Sequence, residues 1–409
     1  MAQSDRPTTI LHMNYDPTDP AVIADPYPQL LVLQAEEPAH FSPKLKAWVL
    51  TRYDDVKRAL GAPEMSVDRI QPFYRALPQE TQSKVAGIVK YLSLWLVFRD
   101  PPEHTRLRRL MAKAFTMKAV VDLRPGVEEL VDGLMEDAAG DSDYIATFAM
   151  RLPGLVIMDL LGVPREKMDE VKGWSDEMQL FIGSAQNTPN KYERASAGAK
   201  AMAGLFRELI EDRRKAPTSD LISAFIAARE ADDQMSEEEL IAACMLVLFG
   251  GHETTTNLLS TGLMKFLNDP AARERLAADP SLSASATEEC LRLDGPSGSM
   301  ARLVAEDHDL HGKTLKAGDR VFAMINAANQ DPSAFDRPGE FDMTRERNKH
   351  LTFGYGPHFC IGAALARLEG EVALQKLCAR FPDMSVTGPL VWHETMIMRG
   401  LRSMPVSLR

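Results

Sequence analysis

One thiol on a glycine-rich loop is the first place in this chain where residue type and spacing could support chemistry. Cys360 lies in Phe353-Gly354-Tyr355-Gly356-Pro357-His358-Phe359-Cys360-Ile361-Gly362, directly ahead of the helical run Ala363-Ala364-Leu365-Ala366-Arg367-Leu368. A helix N-terminus offers free N–H groups and the positive end of a dipole, and both favour a thiolate. Gly356 and Gly362 carry no Cβ, which leaves room for a flat ligand to approach the backbone. With no second cysteine close in sequence, the thiolate suits a single axial bond to an iron such as that of a haem.

A second constellation is Phe249-Gly250-Gly251-His252-Glu253-Thr254-Thr255, inside a long helical run. Two glycines within a helix cost about 1 kcal/mol each against alanine. Thr254 stands four residues after Gly250 and can return its hydroxyl to that carbonyl, opening the helical ladder. Gly-Gly alone equally serves close helix packing. A carboxylate and a hydroxyl on adjacent residues, as at Glu253 and Thr254, can form a short proton relay. A third constellation is Asp100-Pro101-Pro102-Glu103-His104-Thr105-Arg106-Leu107-Arg108-Arg109. His104 and Arg108, four apart, share a helix face, and the forked guanidinium of Arg108 can grip a carboxylate. Arg106 and Arg109 read as a solvated basic face. Glu289-Cys290-Leu291-Arg292 is an i, i+3 ion pair of a very common kind.

Taken together, these strings resemble one family. Phe353-x-x-Gly356-x-His358-x-Cys360-x-Gly362 resembles the haem-ligand signature of the cytochromes P450. Gly250-Gly251-His252-Glu253-Thr254 resembles the family's distal-helix motif, with Glu253 for the commoner Asp. Glu289 and Arg292, with Arg345 in Phe341-Asp342-Met343-Thr344-Arg345, resemble its buried Glu-x-x-Arg pair and third charge. The motifs follow in the family's order, and the one minor departure is His358, where Arg is also frequent.

The resemblance implies a mainly α (α+β) cytochrome P450 fold, a large helical body with a small β portion. It implies haem b (iron protoporphyrin IX), with Cys360 as the metal ligand and Phe353, Gly356, Gly362, Gly250 and Gly251 in the cofactor site. It assigns the haem propionates to His104, Arg108, Arg302 and His358. Thr254 and Glu253 are the implied catalytic pair, holding and protonating the reduced oxygen, while Glu289, Arg292 and Arg345 are structural. Candidate substrate-pocket residues by family correspondence are Leu92, Leu94, Trp95, Phe181, Leu246, Phe249, Met300, Ile397 and Met398. They are apolar and suggest a small-to-medium organic substrate such as a terpenoid, an alkyl aromatic or a steroid.

The implied reaction inserts one atom of dioxygen into an unactivated C–H bond and reduces the other to water. No flavin or iron–sulfur segment is evident, so a ferredoxin with its ferredoxin reductase is the expected electron source. A steering patch of Arg106, Arg109, Lys113, Arg347 and Lys349 is expected on the thiolate side. Two rivals are a peroxide-driven enzyme of the same fold, which typically lacks the acid–alcohol pair, and a non-catalytic haem-binding or gas-sensing protein.

The elements that must position these groups are legible in outline. The chain has 409 residues, 45% hydrophobic and 26% charged, which permits a large core. A net charge of -11 argues against nucleic acid as the main partner. Cys244, Cys290, Cys360 and Cys378 match neither a zinc pattern nor a disulfide framework. Met1 to Arg6 shows no apolar leader and no run is long enough to span a bilayer, so a soluble, cytoplasmic protein without a membrane segment is expected. One interwoven domain over residues 1–409 is expected. Residues 1–30 read as irregular, Trp48–Thr51 as a strand, and Tyr53–Leu60 as a helix. Residues 61–98 read as a long loop with helical pieces, and 103–293 as helical. A capping box at Ser236 and Glu239 opens a helix to about Asn268. Hairpins are expected within Leu310–Val321, with further β structure after Met384.

Overall fold

The longest element is set by its first residues. In the computed structural model, which describes residues 15–182, 188–230 and 233–409, the hydroxyl of Ser236 accepts from the Glu239 N–H at 3.3 Å. The Glu239 carboxylate accepts in turn from the Ser236 N–H at 2.9 Å. This capping box opens the helix Glu237–Asn268. Buried residues run around its whole circumference, as in a helix enclosed on all sides. Helices Arg151–Leu161, Lys191–Lys215, Ser283–Asp294 and Ala363–Arg380 pack against it.

The β portion is assembled from distant segments. Ala39–Ser42 pairs antiparallel with Ala47–Leu50, and Arg320–Met324 lies parallel to the latter with Val321 opposite Trp48. Ser299–Val304 and then Met65–Ser66 complete a five-stranded sheet. A second sheet joins Ser385–Val386, Pro405–Leu408 and Gly140–Asp143. The His308–Leu310 and Lys313–Leu315 hairpin turns through His311 and Gly312, both at positive φ.

Three expectations are corrected. Residues 61–98 are mostly regular, with helices Ile70–Ala76 and Gln79–Leu92, because Pro72 and Pro78 fall near helix starts, where a missing N–H costs nothing. The early segment contains helices Pro20–Ala24 and Tyr27–Glu36, while residues 1–14 lie outside the described residues. The helical body is interrupted by the strand Gly140–Asp143. Among the described residues no helix is long and apolar enough to cross a membrane.

Candidate active site

The cysteine loop is a tight turn. Gly354 and Gly356 adopt φ of 76° and 73°, which side chains rarely tolerate. The Cys360 N–H donates to the Phe353 carbonyl at 2.8 Å. A Cβ on Gly356 would lie 3.1 Å from Gly61 Cα. On that side the loop packs against the end of helix Tyr53–Gly61. Around Gly362 the nearest atom to a built Cβ is the Cys360 sulfur, at 3.9 Å. Cys360 is exposed, yet enough protein crowds its sulfur that desolvation raises the thiol pKa. The Gly362 N–H and the charges of Arg108 and Arg367 oppose that rise. Arg367 sits 4.5 Å above the Phe353 ring and pairs with Glu288.

Four of the expected cofactor residues converge beside this loop. The rings of His104 and His358 stand 4.0 Å apart. Burial lowers both imidazoles: Arg108 depresses His104 further, while His104, Arg302 and Arg108 help bring His358 to about 3. Both are therefore neutral donors at neutral pH rather than cations. Arg302 is buried, donates to the carbonyls of Ala301 and Leu60, and leaves its Nε without a partner. Both ring nitrogens of His104 are likewise buried and unpartnered. Buried donors left unpaired beside cations fit the acidic edge of a haem, since leaving such groups unsatisfied is costly.

On the distal helix the Thr254 hydroxyl donates to the Gly250 carbonyl at 2.7 Å. A Cβ on Gly250 would meet nothing within 4 Å, whereas one on Gly251 would lie 2.9 Å from Ile157 Cδ1. Gly250 thus borders open space, and the Cα of Gly251 faces the packed helix Arg151–Leu161. Half-buried Glu253 has its carboxyl raised by burial to about 7, against the pull of Lys172 and with a push from Asp176. Lys172 and Asp176 are paired one turn apart on the helix Met168–Ile182. Sequence reasoning missed this pair, and its only signal was the i, i+4 spacing.

The apolar candidates divide. Leu92 is 0% exposed and Trp95 2%, so Leu92 belongs to the core and presents no surface to a ligand. Trp95 lies 5.2 Å from the Phe249 ring and leaves its Nε1 unpartnered. Leu94, Phe181, Leu246 and Phe249 are half-buried against the main core, and Met300 against the core of the five-stranded sheet. Ile397 and Met398 are half-buried on the segment after Trp392. That segment is fixed by the Gly298 N–H donating to Ile397 at 2.9 Å and by Arg399, which pairs with Asp294 and lies 3.7 Å over the Trp392 ring.

Beneath the loop, Glu289 and Arg292 are both wholly buried, with Arg292 Nη2 2.7 Å from the carboxylate. Arg345 approaches the same carboxylate at 3.1 Å. Asn348 and the Asp342 N–H also donate to it, and the carbonyls of Asn329, Pro338 and Glu340 accept from Arg292. Such saturation is what allows buried charges to persist. The expected steering patch is weakened. Arg106 bridges Asp233 and Glu239 rather than facing solvent alone, and Arg109 and Lys113 are engaged as well.

A helical body with a small β portion, a cysteine loop and buried unpaired donors beside it together fit a haem-binding enzyme. The sequence pattern described as Cytochrome P450 matches residues 165–279 and 282–386. The vitamin D(3) 25-hydroxylase of Pseudonocardia autotrophica is 37% identical over 94% of each chain. The cytochrome P450 monooxygenase PikC of Streptomyces venezuelae is 36% identical over 94% of this chain and 92% of its own. A myxobacterial cytochrome P450, CYP267B1, solved with myristic acid, superposes with a TM-score of 0.86 at 35% identity, covering 96% of this chain and 98% of its own. The chain belongs to the cytochrome P450 family. It is a bacterial-type monooxygenase, and its cofactor is haem b.

Proposed function

We propose that the enzyme hydroxylates an apolar, small-to-medium organic molecule such as a terpenoid, an alkyl aromatic or a steroid, with electrons from a separate ferredoxin and its reductase. The observation that carries the substrate class is the half-buried apolar set Leu94, Phe181, Leu246, Phe249, Met300, Ile397 and Met398 on five distant segments. The vitamin D(3) 25-hydroxylase among the relatives acts on a molecule of this kind. We also read the whole chain as one domain, because its sheets interleave strands from both ends.

When bound, haem b supplies reductive activation of dioxygen at its iron. Cys360 would hold that iron, with the Gly362 N–H and the Arg108 and Arg367 charges favouring its thiolate. His104, His358, Arg108 and Arg302 would hold the propionates. Glu253, with a pKa of about 7, can take up and release a proton at neutral pH. The Thr254 hydroxyl, bonded to Gly250 at rest, would swing its donor toward the opening beside that glycine.

The test is a spectral titration of the ferric protein with apolar and charged compounds, in wild type and in Cys360→Ser. Apolar compounds are expected to shift the wild-type Soret band with micromolar affinity, corresponding to about 8 kcal/mol. The variant should lose the red-shifted carbonmonoxy band of thiolate ligation. Shifts produced only by charged compounds would refute the substrate class. A red-shifted band in Cys360→Ser would refute the ligand.

A further inference from the structure

Arg69 lies in none of the motifs that pointed to the site. It follows the strand Met65–Ser66, whose pairing with Leu303 and Val304 carries the next residues alongside Ala301 and Arg302. Its guanidinium donates to the Ala301 carbonyl at 3.3 Å and stacks 4.9 Å from the Phe98 ring. Burial lowers its pKa to about 10, and its charge is the next cause, after burial, of the same fall in Arg302.

The charges around it do not balance. Arg69, Arg108 and Arg302 form no ion pair with a carboxylate among the described residues. The one carboxylate acting on this cluster is Asp100. Its oxygens already accept from Ser66 Oγ at 2.5 Å and the Val67 N–H at 3.0 Å. Three guanidiniums against one carboxylate, with the Cys360 sulfur facing Arg108, leave a surplus of positive charge in a largely enclosed place. Isolated buried charge is expensive, so such a cluster calls for anionic partners. The two propionates of haem b would supply anionic charge to this surplus, to which Arg69 contributes one of the three guanidiniums.

We propose that Arg69 is a third guanidinium of the propionate cradle, holding a propionate from the Phe98 side. The assignment rests on Arg302 and its neighbours facing the propionates. A carboxylate on an apolar substrate would have the same chemistry, so the experiment separates the two sources.

The holoenzyme is compared with Arg69→Gln, Arg69→Lys and Arg302→Gln. Haem transfer to apomyoglobin, the ferric/ferrous potential, and spectral titrations with dodecanoic acid and dodecanol are measured for each. Arg69→Gln is expected to speed haem transfer roughly tenfold or more, as loss of one partner of a buried charge pair does. It should also lower the potential, because a removed positive charge no longer favours the reduced iron. Arg69→Lys should keep the potential near wild type while recovering only part of the retention, since an ammonium lacks the forked geometry. Dodecanoic acid and dodecanol affinities should change by the same factor. Unchanged transfer and potential in Arg69→Gln, with both altered in Arg302→Gln, would overturn the proposal and leave the cradle standing. No change in either variant would remove the cradle and the proposal together. Selective loss of dodecanoic acid binding with haem retention intact would make Arg69 a substrate anchor and overturn its assignment to the haem. Should Arg69→Gln not fold, the split between potential and retention in Arg69→Lys decides the matter.

Discussion

Burial lifts the carboxyl of Glu253 from 4.5 to about 7, and this has a consequence for stability as well as for proton transfer. Below pH 4.5 the group is neutral in both folded and unfolded chains and contributes no pH dependence. Between pH 4.5 and 7 the unfolded chain releases its proton first, so the native state loses ground, and above 7 the loss is constant. Glu253→Gln removes the effect. Its stability relative to wild type is expected to grow from pH 4.5 to about 7 and then level, read from urea midpoints across that range. A flat difference would mean that Glu253 ionises as an ordinary carboxylate. The pair Glu253 and Thr254 was legible because its members are neighbours in sequence. Lys172, Asp176, Arg69 and Asn348 were not, since each reaches its partners only through the fold, and an isolated Lys or Arg in sequence looks the same on a surface as in a site.

The two glycines of the distal helix show an element doing two jobs on adjacent faces. Gly250→Ala places its methyl where no protein atom lies within 4 Å, and Gly251→Ala places its methyl 2.9 Å from Ile157 Cδ1 in a packed core. Alanine gains up to about 1 kcal/mol of helix propensity at either position. At Gly251 overpacking of about 1–3 kcal/mol offsets that gain. Denaturation midpoints of the holoenzymes should therefore rank Gly250→Ala above Gly251→Ala, and equal midpoints would show that Ile157 yields freely. The ends of this helix could be read from sequence because its capping box is local chemistry. The strand Gly140–Asp143 could not: Gly-Asp-Ser-Asp has the composition of a turn, and it is extended only because Pro405–Leu408 pairs with it. The same limit applied at Gly356, where the neighbour that demands glycine is Gly61, nearly three hundred residues away in the chain.

Across the whole molecule the C-terminal strand is a closing piece. Val406 and Leu408 are 0% and 1% exposed, and burying each is worth about 1.5–3 kcal/mol. Deleting Pro405–Arg409 is expected to lower the melting temperature markedly and to reduce haem content on purification. A truncated protein with the wild-type melting temperature and full haem content would show that the strand is dispensable. The parallel pairing of Trp48 with Val321 has another consequence, one of timing. At a synthesis rate of about 5–20 residues per second, roughly 15–55 s separate the emergence of these two partners from the ribosome. The early strand must wait that long, its apolar edge open to other chains. The residues proposed to hold haem, at 104–108, 302 and 358–360, emerge over a span nearly as long. Cofactor capture is therefore an event of the finished chain, and a cell starved of haem would accumulate full-length apoprotein rather than stalled fragments.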